Sequence, residues 1–193
     1  MDGEDAPVRK LRADGQRNRE RLLEAAKLSF GEVGPGASLD EIARRAGVGI
    51  GTLYRHFPTR EALVEAVYRR EFEQLAEAAP RLVQEMPAGD ALQHWLHLAV
   101  DYIASKKVIA AALDGLVGGD AAIYAASGER ITEAMYMLVE RAIASGDIRA
   151  DTQPKDVMRA LIGFTYGHAN EGWQASANRL IDIFLAGLRT PRA

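Results

Sequence analysis

Cysteine is absent from all 193 residues. Disulfides, thiolate-bound zinc, iron–sulfur clusters and a cysteine nucleophile are therefore excluded. No apolar run approaches the ~18 residues that a membrane-spanning helix needs, and no segment alternates like a half-buried strand. The first 22 residues, MDGEDAPVRKLRADGQRNRERL, put acids ahead of bases and hold no apolar stretch, so a secretory leader is not expected. Tandem repeats and low-complexity tracts are missing too. The expectation is a cytoplasmic protein with no membrane partner. What is present is ordinary globular material, 48% hydrophobic and 26% charged, enough for a core without staples.

The net charge of -3 is unevenly spread. Residues 1–7 hold three acids and no base. Residues 8–60 hold 11 Lys/Arg against 6 Asp/Glu, and the remaining 133 residues hold 13 against 18. A basic block on an acidic body points to an anionic partner, with a solvated helical face as the plainer reading.

Apolar residues recur at helical spacing almost throughout, which predicts an all-α chain of about nine helices. Leu22, Leu23, Ala26, Phe30 and Val33 mark a first helix over about 16–33, after a flexible arm over 1–14. Gly34-Pro35-Gly36 breaks it. Ser38, with Glu41 three residues later, forms a capping box for a second helix over about 39–46. Gly47 ends that helix. A short third helix spans about 50–57 and stops at Pro58. Thr59 caps a long fourth helix running towards Pro80. Further periodic stretches cover 91–104, weakly 108–117, then 121–144, 155–171 and 173–188.

The stretch Ser38–Arg60 carries the chemistry. Two short helices joined by a glycine-containing turn of three or four residues form a helix-turn-helix. Ile42, Leu53 and Phe57 are expected to bury, with Val48 filling the gap between the helices. That leaves Thr52, Tyr54, Arg55 and His56 on the other face of the third helix, all donors suited to phosphate oxygens. Gly49 and Gly51 let backbone N–H groups approach a phosphate at a helix start. Ile50, Gly51, Thr52 and Arg55 are placed to reach base edges, Ile50 at a thymine methyl and Arg55 at a guanine. A surface helix with a mixed polar face is the alternative.

The string LDEIARRAGVGIGTLYRHFPTREAL, Leu39–Leu63, resembles the DNA-binding signature of the TetR/AcrR family of transcriptional repressors. It matches the family pattern at Ile42, Ala43, Ala46, Gly47, Val48, Gly51, Thr52, Leu53, Tyr54, His56, Phe57 and Leu63. Gly49 stands where the family commonly has Ser, and Arg60 where it commonly has Lys. The resemblance implies a DNA-binding domain over 15–60 and a helical effector-binding and dimerisation domain over 61–193. It implies phosphate contacts from Thr52, Tyr54, His56 and Arg60, base contacts from Ile50, Gly51 and Arg55, and a cap at Ser38 that reaches the DNA backbone. Arg9, Lys10 and Arg12 would follow a groove, or else belong to a disordered tail.

Beyond about residue 80 the resemblance is general. It implies a homodimer through the last two helices, with Gly163, Phe164, Gly167, Ile181, Phe184 and Leu188 at the interface. It also implies a pocket for an apolar or mildly polar effector among His94, Trp95, His97, Tyr102, Tyr124, Tyr136 and His168. Such a repressor would leave a near-palindromic double-stranded operator when the effector binds. No catalytic residue, cofactor or metal is expected. His94 and His97 share a helix face but lack a clear third ligand. An enzyme with a vestigial DNA-binding head and a protein-recruiting module are the alternatives. No Ser-His-Asp spacing, phosphate-binding glycine loop or carboxylate pair stands out for the first.

Overall fold

Eight helices and no named strand are found among the described residues: α1 (Asp5–Val33), α2 (Leu39–Arg45), α3 (Ile50–His56), α4 (Arg60–Glu85), α5 (Ala88–Leu113), α6 (Ala121–Ala144), α7 (Pro154–Tyr166) and α8 (Trp173–Leu188). The computed structural model describes the backbone over 5–34, 36–113, 121–166 and 172–190, and side chains over 13–34, 36–106, 128–166 and 172–190. None of the helices in the described residues is long and apolar enough to cross a membrane.

Three boundaries differ from the sequence expectation. Helix α1 begins at Asp5, so 5–14 is helical where an arm is expected. Pro7 sits in its first turn, where a missing N–H costs nothing, and a lone Gly15 costs only about 1 kcal/mol. Helix α4 continues through Pro80 to Glu85. Proline removes one backbone bond there, but Ala76, Ala78, Ala79 and Leu82 on either side are buried and hold the helix against its neighbours. Helix α5 joins two expected stretches into one, because Ser105-Lys106-Lys107 contains no breaker.

The chain divides into two compact units, Met1–Arg70 with Ser105–Gly119, and Glu71–Ala104 with Asp120–Ala193. The division falls inside α4 and inside α5. In the first unit Leu22, Leu23, Ala26 and Phe30 of α1 are buried together with Ile42 and Ala43 of α2, Leu53 of α3, and Leu63, Val64 and Val67 of α4. Each fully buried aliphatic side chain contributes about 1.5–3 kcal/mol over its exposed state.

In the second unit Trp95 is completely buried, and its indole Nε1 donates to the Leu75 carbonyl at 2.9 Å. That bond ties α5 to α4. The start of α5 is capped from a distance. Pro87 and Ala88 offer no side-chain acceptor, and the Gly89 N–H donates to Asp147 Oδ2 at 2.9 Å. A Cβ on Gly89 would stand 3.0 Å from the Asp147 Cβ, so any larger residue would require Asp147 to give by a few tenths of an ångström. Behind Asp147, Arg149 N–H donates to the Leu188 carbonyl and Thr190 N–H to the Asp147 carbonyl. These bonds fasten the loop after α6 to the end of α8 around one isolated antiparallel bridge, Ile148 with Arg189.

The turn between α2 and α3 depends on Gly47, whose φ is +66°. Gly47→Ala should lower stability by about 1–2 kcal/mol, the cost of a Cβ in the left-handed region. Gly47→Asn should recover part of that loss. Urea denaturation checks both, and an unchanged midpoint for Gly47→Ala would show that the turn does not need its glycine.

Candidate nucleic-acid interface

The helix-turn-helix is built by local rules. Ser38 caps α2, its Oγ accepting from the Glu41 N–H at 3.4 Å. The reciprocal half of the expected capping box is replaced. The Glu41 carboxylate instead takes Arg44 in two bonds, at 2.8 Å and 2.5 Å. At the other end of α2, Gly47 N–H donates to the Arg44 carbonyl and Val48 N–H to the Ala43 carbonyl, both at 3.0 Å. These are the paired bonds of a Schellman cap. Val48 is half-buried, and Ile42, Leu53 and Phe57 are buried as expected.

Helix α3 then presents Gly51, Tyr54 and Arg55 on one exposed face, with Tyr54 48% exposed. Ile50 and Thr52 are half-buried at its flanks. Gly49 caps the helix without any side-chain hydrogen bond. The N–H groups of Ile50 and Gly51 thus lack both a helical acceptor and a capping oxygen. A Cβ on Gly49 or Gly51 would meet nothing within 4 Å. No packing among the described residues requires glycine at either position, although glycine weakens a helix.

His56 and Arg60 stand apart from this face. The His56 ring is half-buried beside Phe57, centroids 6.2 Å apart. It lines a shallow groove with Arg19, Ala62, Glu65, Ala66 and Arg69. Residues two apart on a helix point different ways, so His56 looks towards α4 while Tyr54 does not. Arg60, in the first turn of α4, donates from Nη1 to the Ala37 carbonyl at 2.7 Å. The bond brings Arg60 beside the start of α2 and sets Ser38 and Arg60 at one edge. Thr59 caps α4, its Oγ1 accepting from the Ala62 N–H at 3.1 Å.

Several arginines of this unit are compensated by carboxylates. Arg45 holds Glu32 in two bonds at 2.7 Å and 2.8 Å, linking α2 to α1. Arg70 meets Glu24 at 2.9 Å and Glu20 at 3.5 Å. Arg17 pairs with Asp14, Arg69 with Glu65. Arg19 lies over the Phe57 ring, 5.4 Å from its centroid. Arg55 has no carboxylate partner among the described residues. The Arg45–Glu32 pair leaves no trace in the sequence, because the two are thirteen residues apart and no local pattern joins them.

The described residues among the expected effector liners have different surroundings. Trp95 is a core residue whose N–H is satisfied within the protomer. His97 Nε2 lies 2.8 Å from Asp182 Oδ1, which also accepts from Gln93 Nε2 at 2.7 Å. His97 therefore belongs to a partly exposed polar seam between α5 and α8. His94 is exposed. Tyr102 is buried and Tyr136 half-buried. The Tyr124 side chain and His168 lie outside the described residues, as does Gly167 from the expected interface.

Of the other interface residues, Ile181 is 1% exposed and belongs to the protomer's own core, because it shares the inward stripe of α8 with Ala177 and Leu185. Phe164 and Phe184 pack edge to face at 6.0 Å, fastening α7 to α8. Leu188 is half-buried, and Gly163 is exposed. The outward apolar residues of these two helices are Ile162, Tyr166, Leu180 and Ile183; the sequence places Leu180 on the apolar face of the last helix but gives no sign of the other three.

Comparison with known proteins agrees with this architecture. Residues 22–67 match the model of bacterial regulatory proteins of the tetR family, and residues 87–190 match that of the SbtR-like transcriptional regulator C-terminal domain. An HTH-type transcriptional regulator of Staphylococcus aureus is 27% identical over 187 residues, covering 91% of this chain and 96% of that protein. A TetR transcriptional regulator from Streptomyces coelicolor is 43% identical with a TM-score of 0.80, covering 90% of this chain and 99% of the other. A second, from Mycobacterium vanbaalenii, is 32% identical with a TM-score of 0.77, covering 93% and 99%. The chain belongs to the TetR family, whose members are transcriptional regulators and not enzymes, and it carries the family's DNA-binding helix-turn-helix.

The Arg45 and Arg44 guanidinium groups hold the Glu32 and Glu41 carboxyls below the ordinary glutamate value of 4.5. A depressed carboxyl adds stability above its unfolded value and loses it as pH falls through the folded one. The pairs should therefore support the fold above about pH 4.5 and release it in more acid solution. Arg45→Gln should make urea midpoints less sensitive to the step from pH 6 to pH 3. An unchanged acid limb would remove the pair from the account.

Proposed function

We propose that the chain is a homodimeric repressor that binds a near-palindromic operator and leaves it when a small molecule occupies the second unit. The observation that carries the DNA half is the exposed Gly51–Tyr54–Arg55 face beside an α3 start whose cap supplies no side-chain acceptor. Backbone N–H groups at that start suit a phosphate, Tyr54 suits a phosphate oxygen, and Arg55 suits a guanine edge. Ile50 and Thr52 flank the same surface. Ser38 and Arg60 border it with a hydroxyl and a cation, and His56 lies farther round. Glycine at 51 has its reason outside the chain, in the close approach of a duplex.

Two-fold symmetry supports the palindrome. One short helix reads few bases, and a dimer places two recognition helices about 34–36 Å apart. The face of α7 and α8 that carries Ile162, Gly163, Tyr166, Leu180, Ile183 and Gly187 suits a second copy. Tyr166 is 62% and Ile183 69% exposed, unusual for apolar groups clustered on one surface. Phe164, Phe184 and Leu188 line its inner margin. The glycines, with nothing within 4 Å of an added Cβ, allow helices to approach closely.

The effector reading rests on less. Tyr102 and Tyr136 keep their place as candidate liners, with Tyr124, and their chemistry suits an apolar or mildly polar molecule. Binding would act by population shift, through differential affinity for two states. Helices α4 and α5 each run through both units and form the continuous path.

Selection from random double-stranded DNA should enrich a near-palindrome. On that duplex Tyr54→Ala should lose at least about tenfold in affinity, the effect of one hydrogen bond to a charged group. Gly51→Ala should weaken binding while leaving thermal stability equal or higher, since alanine favours the helix. Unaltered affinity in both variants would defeat the reading. Separately, Ile183→Glu should yield a folded monomer in light scattering at micromolar concentration. A persistent dimer would place the interface elsewhere.

A further inference from the structure

We propose that Arg21 is an additional DNA-backbone contact, a cation held at the turn between α2 and α3. The inference rests on the DNA-binding reading of α3 and deepens it. Arg21 is exposed on α1, outside the motif that points to the interface. Its Nη1 stands 3.5 Å from the position that a Cβ on Gly47 would occupy, so the guanidinium lies against the turn itself. Gly47 is two residues before Gly49, the cap of α3. The α1 side chain therefore supplies positive charge next to the start of the helix that meets DNA.

Its partner makes the difference. Arg21 Nη2 donates to Asn18 Oδ1 at 2.5 Å. Asn18 is neutral, so the bond restrains the fork without cancelling its charge. Arg17, Arg44, Arg45, Arg69 and Arg70 are all met by carboxylates. Arg21 meets none among the described residues, and its remaining N–H groups have no acceptor there. A restrained planar guanidinium of this kind suits two oxygens of one phosphate. Such a contact adds affinity and register without reading sequence.

The test is the salt dependence of binding to random-sequence duplex DNA, followed by fluorescence anisotropy. Each neutralised phosphate contributes about 0.9 to the slope of log K against log salt. Arg21→Gln should lower that slope by about 0.9 per protomer. Arg21→Lys should keep it, and Arg45→Gln, which removes a compensated charge, should leave it unchanged. Thermal midpoints near the parent value in all three would exclude unfolding as the cause. An unchanged slope for Arg21→Gln, with Tyr54→Ala still weakening binding, would overturn the role of Arg21 alone. If neither variant altered binding, the DNA-binding reading of this face would fall with it.

Discussion

Everything that the first unit presents depends on how α2 stops. The left-handed Gly47 reverses the chain, and its two backbone bonds close the last turn of α2 without any side chain. Only then do Ile42 and Leu53 meet in the same core, both at zero exposure. Burying them fixes the rotation of α3, and rotation decides which of its residues face outward. A turn of different geometry would keep the composition of α3 and lose its display of Gly51, Tyr54 and Arg55.

Charge in this unit is sorted as well as accumulated. The excess of bases over residues 8–60 suggests a general attraction for anions, but Arg17, Arg44 and Arg45 are taken by acids within the fold. The pair between Arg45 and Glu32 joins helices, and that between Arg70 and Glu24 does the same for α4 and α1. Exposed pairs of this kind contribute little to stability. Arg55 and Arg21 are left with uncompensated charge close to the start and face of α3. Net charge gives the sign of the partner, and the pairing pattern gives the place.

Most helices, and the ends of α2 and α3, were legible because their signals are local. Ser38, Gly47, Pro58 and Thr59 act through backbone groups within a few residues, and apolar spacing follows the helical period. What escaped is non-local. Asp147 caps α5 from 58 residues away, and Arg60 reaches the Ala37 carbonyl across 23. Neither leaves a trace in spacing. The same blindness explains Ile181 and Ile183. Both are aliphatic and sit two apart on α8, yet one is 1% and the other 69% exposed. Hydrophobicity alone cannot tell a protomer's core from its exposed surface. Trp95 and His97 show the corresponding limit for pockets, because a polar-tipped ring is informative only once its partner is known.

The glycines separate two kinds of constraint that sequence reading merges. Gly47 and Gly89 answer to the chain itself, one through a positive φ and the other through Asp147 at 3.0 Å. Gly49 and Gly51 answer to neither, since φ at Gly49 is −73° and both positions open onto empty space. In an isolated protein, alanine at 51 would be the better helix residue by about 0.5–1 kcal/mol. Keeping glycine there leaves the recognition helix short of its best stability. That deficit has a physical use only where a second molecule comes within van der Waals distance of the backbone. Under the proposed DNA contact a duplex would do so, and a Cβ would hold it off at the point where the N–H groups of Ile50 and Gly51 would reach a phosphate. On that proposal the local weakness of α3 is tied to what it would touch, and the buried Leu53 and Phe57 on its inner side keep so short a helix in place.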